Sequence, residues 1–407
     1  MTGARKPMLS RQEALDFLLA ACRPVTDAQM VPTIEANGRV LAADCVSGID
    51  VPAQDNTQMD GYAVRAADCA GGAATLPVSQ RIPAGHVGEP LQPGTAARIF
   101  TGAFIPPGAD AVVMQEQCEA NGDAVTIRHA PQVGEWVRRA GEDIRSGSVI
   151  LPAGTRLRSQ ELGLAASIGL ATLPLLRRVR VAVFFTGDEL TMPGEPLAPG
   201  GIYNSNRFLL RALLENLGCD VTDFGIVPDS LEATRAVLRE AAQASDLIIT
   251  SGGVSVGEED HVKPAVEAEG KLAMWQIAIK PGKPLAFGEV GKAFFMGLPG
   301  NPVSSFVTFL LFVRPFLLTL QGVAAREVAG KPLAFPLRAD FDWKGDRRNE
   351  FLRVRMNGNG GLDLFPNQGS GVLTSTVWGD GLVDNPPGQA IRAGDTVRFI
   401  PFTELLY

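Results

Sequence analysis

Histidine is scarce in this chain: His86, His129 and His261 are the only ones in 407 residues. A histidine-rich metal site or a Ser–His–Asp triad therefore has little to work with. The five cysteines, Cys22, Cys45, Cys69, Cys118 and Cys219, are widely separated and odd in number. That spacing argues against a zinc cluster or a disulfide framework and fits buried thiols in a reducing cytoplasm. There is no long basic run, and the formal net charge is −7. Sequence-independent nucleic-acid binding needs a basic stripe to neutralise phosphates, so nucleic acid is not an expected partner. The longest apolar stretch, 306–320, is broken by Arg314 and Pro315. It falls short of the ~20 residues of a membrane span and reads as a core helix. The N-terminal segment MTGARKPMLSRQEALDF lacks the apolar core of a signal peptide, so a cytoplasmic location is expected.

What the chain does have is a globular composition, 45% hydrophobic and 20% charged. Its length exceeds one ordinary core and implies about three or four units. Ser10 to Glu13 reads S-x-x-E, the form of a capping box. Ala14, Phe17, Leu18 and Ala21 follow at helical spacing, which predicts a first helix. From 46 to about 150, glycine and proline recur and short runs such as ARIF, AVVMQ and AVTIRH alternate with turns. No long amphipathic helix is visible there, so the stretch reads as β-rich. Residues 178–320 alternate instead: VRVAVFF, VTDFGIV, DLIIT, KLAMWQIAI, PLAFG and KAFFMG as strands, with helical patterns at 206–217 and 231–242. That alternation predicts a doubly wound, mainly parallel α/β sheet with helices on both faces. A long helix starts after Asn301, which can cap it, with Pro302 in its first turn. Beyond 324 the runs KPLAFPLRA, NEFLRVRM, DLFPN, GQAIRA and DTVRFIPF predict a small C-terminal β-barrel or sandwich.

Two loops of the α/β stretch carry the chemistry. SGGVSVGEED at 251–260 follows LIIT, and GLPGNPVSS at 297–305 follows KAFFM. Both apolar runs read as buried parallel strands, and a parallel sheet presents ligands at the carboxyl ends of its strands. The first loop is rich in glycine and serine (Ser251, Gly252, Gly253, Ser255) and ends in Glu258, Glu259 and Asp260. Its glycines let the backbone approach a ligand closely. Acids beside an anion site repel the ligand unless a cation intervenes, and Mg²⁺ shared by carboxylates and substrate phosphates resolves that conflict. The second loop, with Pro299 and Gly300, opens a helix whose amides can face an anion. VFFTGDEL at 183–190 adds Asp188 and Glu189 at a third strand end. IKPGKP places Lys280 and Lys283 around a Pro–Gly turn. A helix N-terminus contributes only about 0.3–1 kcal/mol toward one anion, so lysines in the same cavity matter. Taken singly, each of these segments also fits a plain surface turn, a solvated acidic loop or flanking surface lysines. NTQMDGYAV, IFTGAFIPPGADAVV and GEDI, with Asp60, Thr101 and Asp143, read alone as ordinary turn chemistry.

Together the segments resemble the molybdopterin molybdenumtransferase family, the MoeA and gephyrin E-domain group. The matching motifs are MDGYA, FTGA, GEDI, TGDEL, YNSN, VPD, SGGVSVGEED, IKPGKP, GLPGNPVS and NQGSG. They occur in family order and span nearly the whole chain. The resemblance implies an N-terminal helix at 1–25 packing on the α/β domain, and a connecting domain at 26–45 and 147–176. It further implies a β-rich domain at 46–146, a molybdopterin-binding α/β domain at 177–325 and a C-terminal β-barrel at 326–407. It implies a head-to-tail homodimer with each active site shared between subunits. The implied reaction inserts molybdate into adenylylated molybdopterin with Mg²⁺, releasing AMP and molybdenum cofactor, downstream of a molybdopterin adenylyltransferase. Carried over by position, Asp60, Thr101, Asp143, Glu189, Asp229 and Asp260 are catalytic candidates, with Glu189 and Asp260 also the metal ligands. Ser251, Gly252, Gly253, Ser255, Lys280, Lys283, Pro299, Gly300, Pro302, Arg353 and Ser370 are candidates for holding the substrate anions. One departure is visible: many family members carry a basic residue where Gln276 follows Trp275, so one positive contact is expected to be missing or supplied elsewhere. Two alternatives stay open, a non-catalytic pterin-binding or scaffolding relative and a transferase that uses tungstate.

Overall fold

A computed structural model describes residues 8–253, 261–328 and 334–406. The first helix, Arg11–Ala21, starts where the capping box places it: Glu13 N–H donates to Ser10 Oγ at 3.2 Å and Ser10 N–H to Glu13 Oε2 at 2.8 Å. Its buried face is narrower than the spacing implied. Ala14 and Leu18 are fully buried, while Phe17 stays half exposed at the rim with its ring edge on Phe287. Leu9 N–H donates to Gln276 O, which ties this segment to the α/β sheet.

That sheet has six strands in the spatial order Asp220–Val227, Arg180–Thr186, Leu247–Ser251, Ala293–Leu298, Pro284–Val290, Gly270–Gln276. The first four run parallel and the last two antiparallel, so the sheet is mixed at one edge. Central strands are buried on both faces, and alternate residues enter different cores. Val181, Val183 and Phe185 face one core with Leu210, Leu213 and Leu214 of the helix Ser205–Asn216. Ala182 and Phe184 face the other, with Val237, Leu238 and Ala241 of Leu231–Ala244. The helix Val262–Glu269 packs in this second core too, and the sequence pattern did not reveal it.

The apolar run beginning at Pro302 is a core helix reaching Leu320, 83% buried. Its middle turn, Phe309–Val313, has π geometry. Pro315 follows in the final α segment Arg314–Leu320. Proline has no N–H and crowds the carbonyl four residues back, and a widened turn accommodates both. Asn301 occupies the N-cap position, but its side chain makes no capping hydrogen bond.

Before the α/β sheet, six short strands form a mixed sheet in the order Ala111–Met114, Gly61–Val64, Ala96–Ile99, Ala74–Ile82, Ala124–Ile127, Cys118–Asn121. The flanking segments return to each other: Ala28–Pro32 pairs with Thr172–Leu176, and Cys45–Val46 with Val149–Leu151. A helix at Ser159–Ser167 lies in the chain between Val149–Leu151 and Thr172–Leu176 and was not anticipated. After the α/β sheet, five strands close into a barrel. Asn349–Met356 pairs with Gly361–Leu364 and Gly381–Asn385, and Phe335–Ala339 and Thr396–Pro401 complete the ring. The expected strand GQAIRA is instead a single bridge between Ile391 and Trp343. A parallel pairing of Ile279–Lys280 with the start of Asn349–Met356 joins barrel and α/β unit.

Candidate active site

The carboxyl ends of Leu247–Ser251 and Ala293–Leu298 lie side by side. Ser251 does not face open space there; it is buried and holds the neighbouring turn. Its Oγ donates to Pro299 O at 2.9 Å, and Asn206 Nδ2 donates to Ser251 Oγ at 2.8 Å and Gly300 O at 2.7 Å. Gly252 has φ +98°, and a Cβ there would lie 3.2 Å from Thr186 O. The positive φ at 252 favours glycine, and the two loops pack closely: a Cβ on Gly300 would stand in van der Waals contact with Gly252 Cα, at 3.6 Å. Pro302 begins the core helix, but one of that helix's first amides is taken, because Val303 N–H donates to Ser370 O at 3.0 Å. The expectation that these amides lie free is corrected at that position: the barrel supplies the cap that Asn301 does not.

Facing this edge is the turn between Lys280 and Lys283. Gly282, at φ +105°, packs so closely on the core helix that a Cβ would meet Thr308 Oγ1 at 2.5 Å. Across from it stand barrel residues Arg348, Gln368, Gly369 and Ser370. Between the walls lies a cleft of about 570 Å³, to which Glu189, Gly252, Gly253, Pro299 and Gly300 also contribute. A second cleft of about 330 Å³ shares Lys283 and Arg348 with it.

Three cations thus converge: Lys280, Lys283 and Arg348. Two carboxylates stand behind them. Lys280 Nζ lies 3.1 Å from Glu350 Oε1 and 3.3 Å from Asp346 Oδ2. Arg348 forks onto Asp346 at 3.1 and 3.0 Å. Those hydrogen bonds from Arg348 hold the Asp346 carboxyl well below the usual carboxylate range. Lys283 is exposed and has no ion pair among the described residues. Beside these, Glu189 brings one exposed carboxylate to the cleft lining. The arrangement can hold a tetrahedral dianion by charge and hydroxyl donors, with no imidazole among the described residues that line it.

Arg353 sits elsewhere. It is 1% exposed, with Nε donating to Ser375 Oγ, Nη1 to Phe351 O and Nη2 to Gly369 O at 3.1–3.2 Å. Burial pushes its pKa down to about 10. It braces the loop that carries Ser370 rather than lining the cleft, and Arg348 is the barrel arginine that lines it. Sequence reasoning missed Arg348, Gln368, Asn301 and Ser304; the run DRRNEFLR offers three arginines, Arg347, Arg348 and Arg353, and only the barrel's register selects among them.

Asp229 follows the strand Asp220–Val227, accepts from Thr186 Oγ1 at 3.0 Å and is not part of the cleft wall. Asp60 and Thr101 form a pair on the N-terminal β sheet, away from the cleft. Thr101 N–H and Oγ both donate to Asp60 Oδ1, at 2.8 and 2.7 Å, and hold that carboxyl below its ordinary value. Asp143 is exposed, and its N–H donates to Val51 O at 3.1 Å. Ser255 and Asp260 lie outside the described residues. Among the described residues no group of three His, Cys, Asp or Glu side chains gathers as a metal site.

Known proteins agree with this architecture along the whole chain. Residues 9–169 match the MoeA N-terminal region (domain I and II), 182–319 a probable molybdopterin binding domain, and 336–402 the MoeA C-terminal region (domain IV). A molybdopterin molybdenumtransferase of Haemophilus influenzae is 40% identical, over 98% of this chain and all of that protein. One from Synechococcus elongatus is 35% identical, over 96% of this chain and 98% of its own length. A crystal structure of the molybdopterin biosynthesis moeA protein from Pyrococcus horikoshii superposes with a TM-score of 0.83 at 30% identity, covering 97% of this chain and 99% of that one.

Proposed function

The chain belongs to the molybdopterin molybdenumtransferase family, enzymes of molybdenum cofactor biosynthesis, and from that premise we propose that it inserts molybdate into adenylylated molybdopterin, releasing AMP and molybdenum cofactor. The observation that carries this reading is the convergence of Lys280, Lys283 and Arg348 on one cleft at the strand ends. Molybdate is a dianion, and such a site suits it without histidine ligands. Lys280, Lys283 and Arg348 supply charge to the oxyanion, and Ser370 supplies a neutral donor. Gly252, Gly253, Pro299 and Gly300 leave room for the pterin substrate's backbone-facing groups.

Glu189 fits Mg²⁺, since that ion is commonly held by one or two carboxylates together with substrate phosphates. Asp260 is the second ligand in this reading. When bound, the ion would neutralise the charge that builds on the substrate's phosphates. The chain's own part is positioning: it brings two anionic substrates together and removes their mutual repulsion.

Asp60, Thr101 and Asp143 serve the same reaction only if a second subunit brings them to the cleft, so the reading includes a head-to-tail homodimer with shared sites. It also places the enzyme in the cytoplasm, receiving its substrate from a molybdopterin adenylyltransferase. Purified protein incubated with adenylylated molybdopterin, molybdate and Mg²⁺ should release AMP only when all three are present. AMP release that ignores molybdate would set the reading aside.

A further inference from the structure

We propose that Glu350 is a positioning residue that aims Lys280 into the cleft, and that only a carboxylate can do so at this place; the proposal rests on the functional reading above. Glu350 is fully buried and does not line the cleft itself. The parallel pairing of Ile279–Lys280 with the barrel sets Lys280 opposite Glu350. The two side chains are thereby brought together across the seam between α/β unit and barrel.

Both oxygens of Glu350 face donors. Oε1 accepts from Lys280 Nζ at 3.1 Å, and Oε2 accepts from Trp343 Nε1 at 2.7 Å and from Asn385 Nδ2 at 3.4 Å. An ammonium has three N–H donors. Glu350 takes one and Asp346, 3.3 Å away, takes another. The third is left for the cleft that Lys280 lines. The other charges nearby are already committed or lie across the cleft. Arg348 forks onto Asp346, Asp384 stands near Arg11 and Arg398 at 3.8 and 3.7 Å, and Lys283 and Glu189 belong to the cleft walls.

The donor count makes the carboxylate obligatory. The indole N–H and the ammonium can only donate. A glutamine at 350 would turn its own NH₂ against one of them, and either Lys280 or Trp343 would lose its place.

The test is calorimetric titration of the full-length protein with molybdate, and with sulfate as a second tetrahedral dianion. Glu350→Gln should weaken molybdate binding by about tenfold to a hundredfold, the range for a hydrogen bond to a charged group. In the Lys280→Ala background it should add little, because both changes remove the same aimed N–H. Trp343→Phe introduced into Glu350→Gln should restore part of the affinity, since the amide can turn its NH₂ toward the space the indole N–H leaves, where only the longer Asn385 Nδ2 contact at 3.4 Å still opposes it. A merely structural Glu350 gives multiplying losses and no rescue, and that result overturns the proposal. So does Glu350→Gln protein that binds molybdate as well as the parent while Lys280→Ala binds it poorly. If Lys280→Ala itself leaves binding unchanged, the site assignment falls and the proposal with it. Should Glu350→Gln alone fail to fold, recovery of folding and binding in Trp343→Phe/Glu350→Gln supports the proposal, and failure of that pair refutes it.

Discussion

Replacing Arg353 with methionine separates two roles that one arginine could play, anion ligand and loop brace. The side chain is 1% exposed, and its guanidinium reaches Ser375 Oγ, Phe351 O and Gly369 O. Burial lowers its pKa to about 10, a depression that corresponds to roughly 3 kcal/mol of cost for the charged form. Three hydrogen bonds from a charged donor, at about 1.5–3 kcal/mol each, outweigh that cost. Methionine fills similar volume, removes the cost and removes the bonds. Two backbone carbonyls and a hydroxyl then lose a donor, at about 1–3 kcal/mol for each that stays dry. The net expectation is a loss of about 2–4 kcal/mol in urea unfolding, together with weaker molybdate binding as the loop carrying Ser370 relaxes. Arg353→Lys is the discriminating control. It keeps the positive charge but cannot fork onto three acceptors, so on the brace reading it should bind molybdate about as poorly as methionine. Full recovery of molybdate affinity by lysine, measured by calorimetry, would show that charge at 353 acts directly and would falsify the brace.

Among the cleft residues, Lys280→Ala, Lys283→Ala and Arg348→Ala should each weaken molybdate binding more than Ser370→Ala, whose neutral donor is worth about 1 kcal/mol; equal effects in calorimetry would deny the cations their role. Glu189→Gln and Asp260→Asn should abolish Mg²⁺-dependent AMP release while leaving the unfolding midpoint near that of the parent, and normal release at ordinary Mg²⁺ would remove both acids from the metal site. Light scattering should give twice the chain mass of 43.1 kDa, and mixing inactive Thr101→Ala with inactive Lys280→Ala protein should restore part of the activity if each site draws on two subunits; no restoration after subunit exchange argues for sites contained in one chain. Burial alone would raise the Asp246 carboxyl, but hydrogen bonds from Arg177 and Arg180 outweigh it and bring it down to about 2. Its folded value lies below the unfolded one, near 3.9. The associated stability, roughly 2–3 kcal/mol, is therefore present above about pH 4 and lost as pH falls toward 2. The stability gap between parent and Asp246→Asn in urea should shrink across that window; a gap independent of pH would contradict the assignment.

Much of the molecule was legible one segment at a time. The capping box at Ser10, the strand and helix periods of the α/β unit, and the glycines at 252 and 300 are signals carried within a few residues, set by backbone geometry and side-chain alternation. The apolar runs before 251 and 297 placed the two loops at the carboxyl ends of parallel strands, and the ordered motifs added the family. Local pattern also had clear limits. GQAIRA has a strand's composition, yet the barrel closes without it and leaves one bridge at Ile391. The π turn before Pro315 answers a clash that only a continuous buried helix creates.

The site divides along the same line. Residue types and turns marked which loops could hold an anion, because glycine, lysine and acid at a strand end have few other uses together. Which side chains enter the cleft was decided by contacts between distant parts of the chain. Ser251 pins the 299–300 turn from 48 residues away. Arg353 faces inward to Gly369 and Ser375 while Arg348 faces the cleft, a choice made by barrel register. Lys280 meets Glu350 across 70 residues because two strands from different units pair in parallel. Sequence fixes what each side chain can donate, accept or carry as charge; only tertiary packing fixes which partner consumes that capacity and which is left facing the ligand.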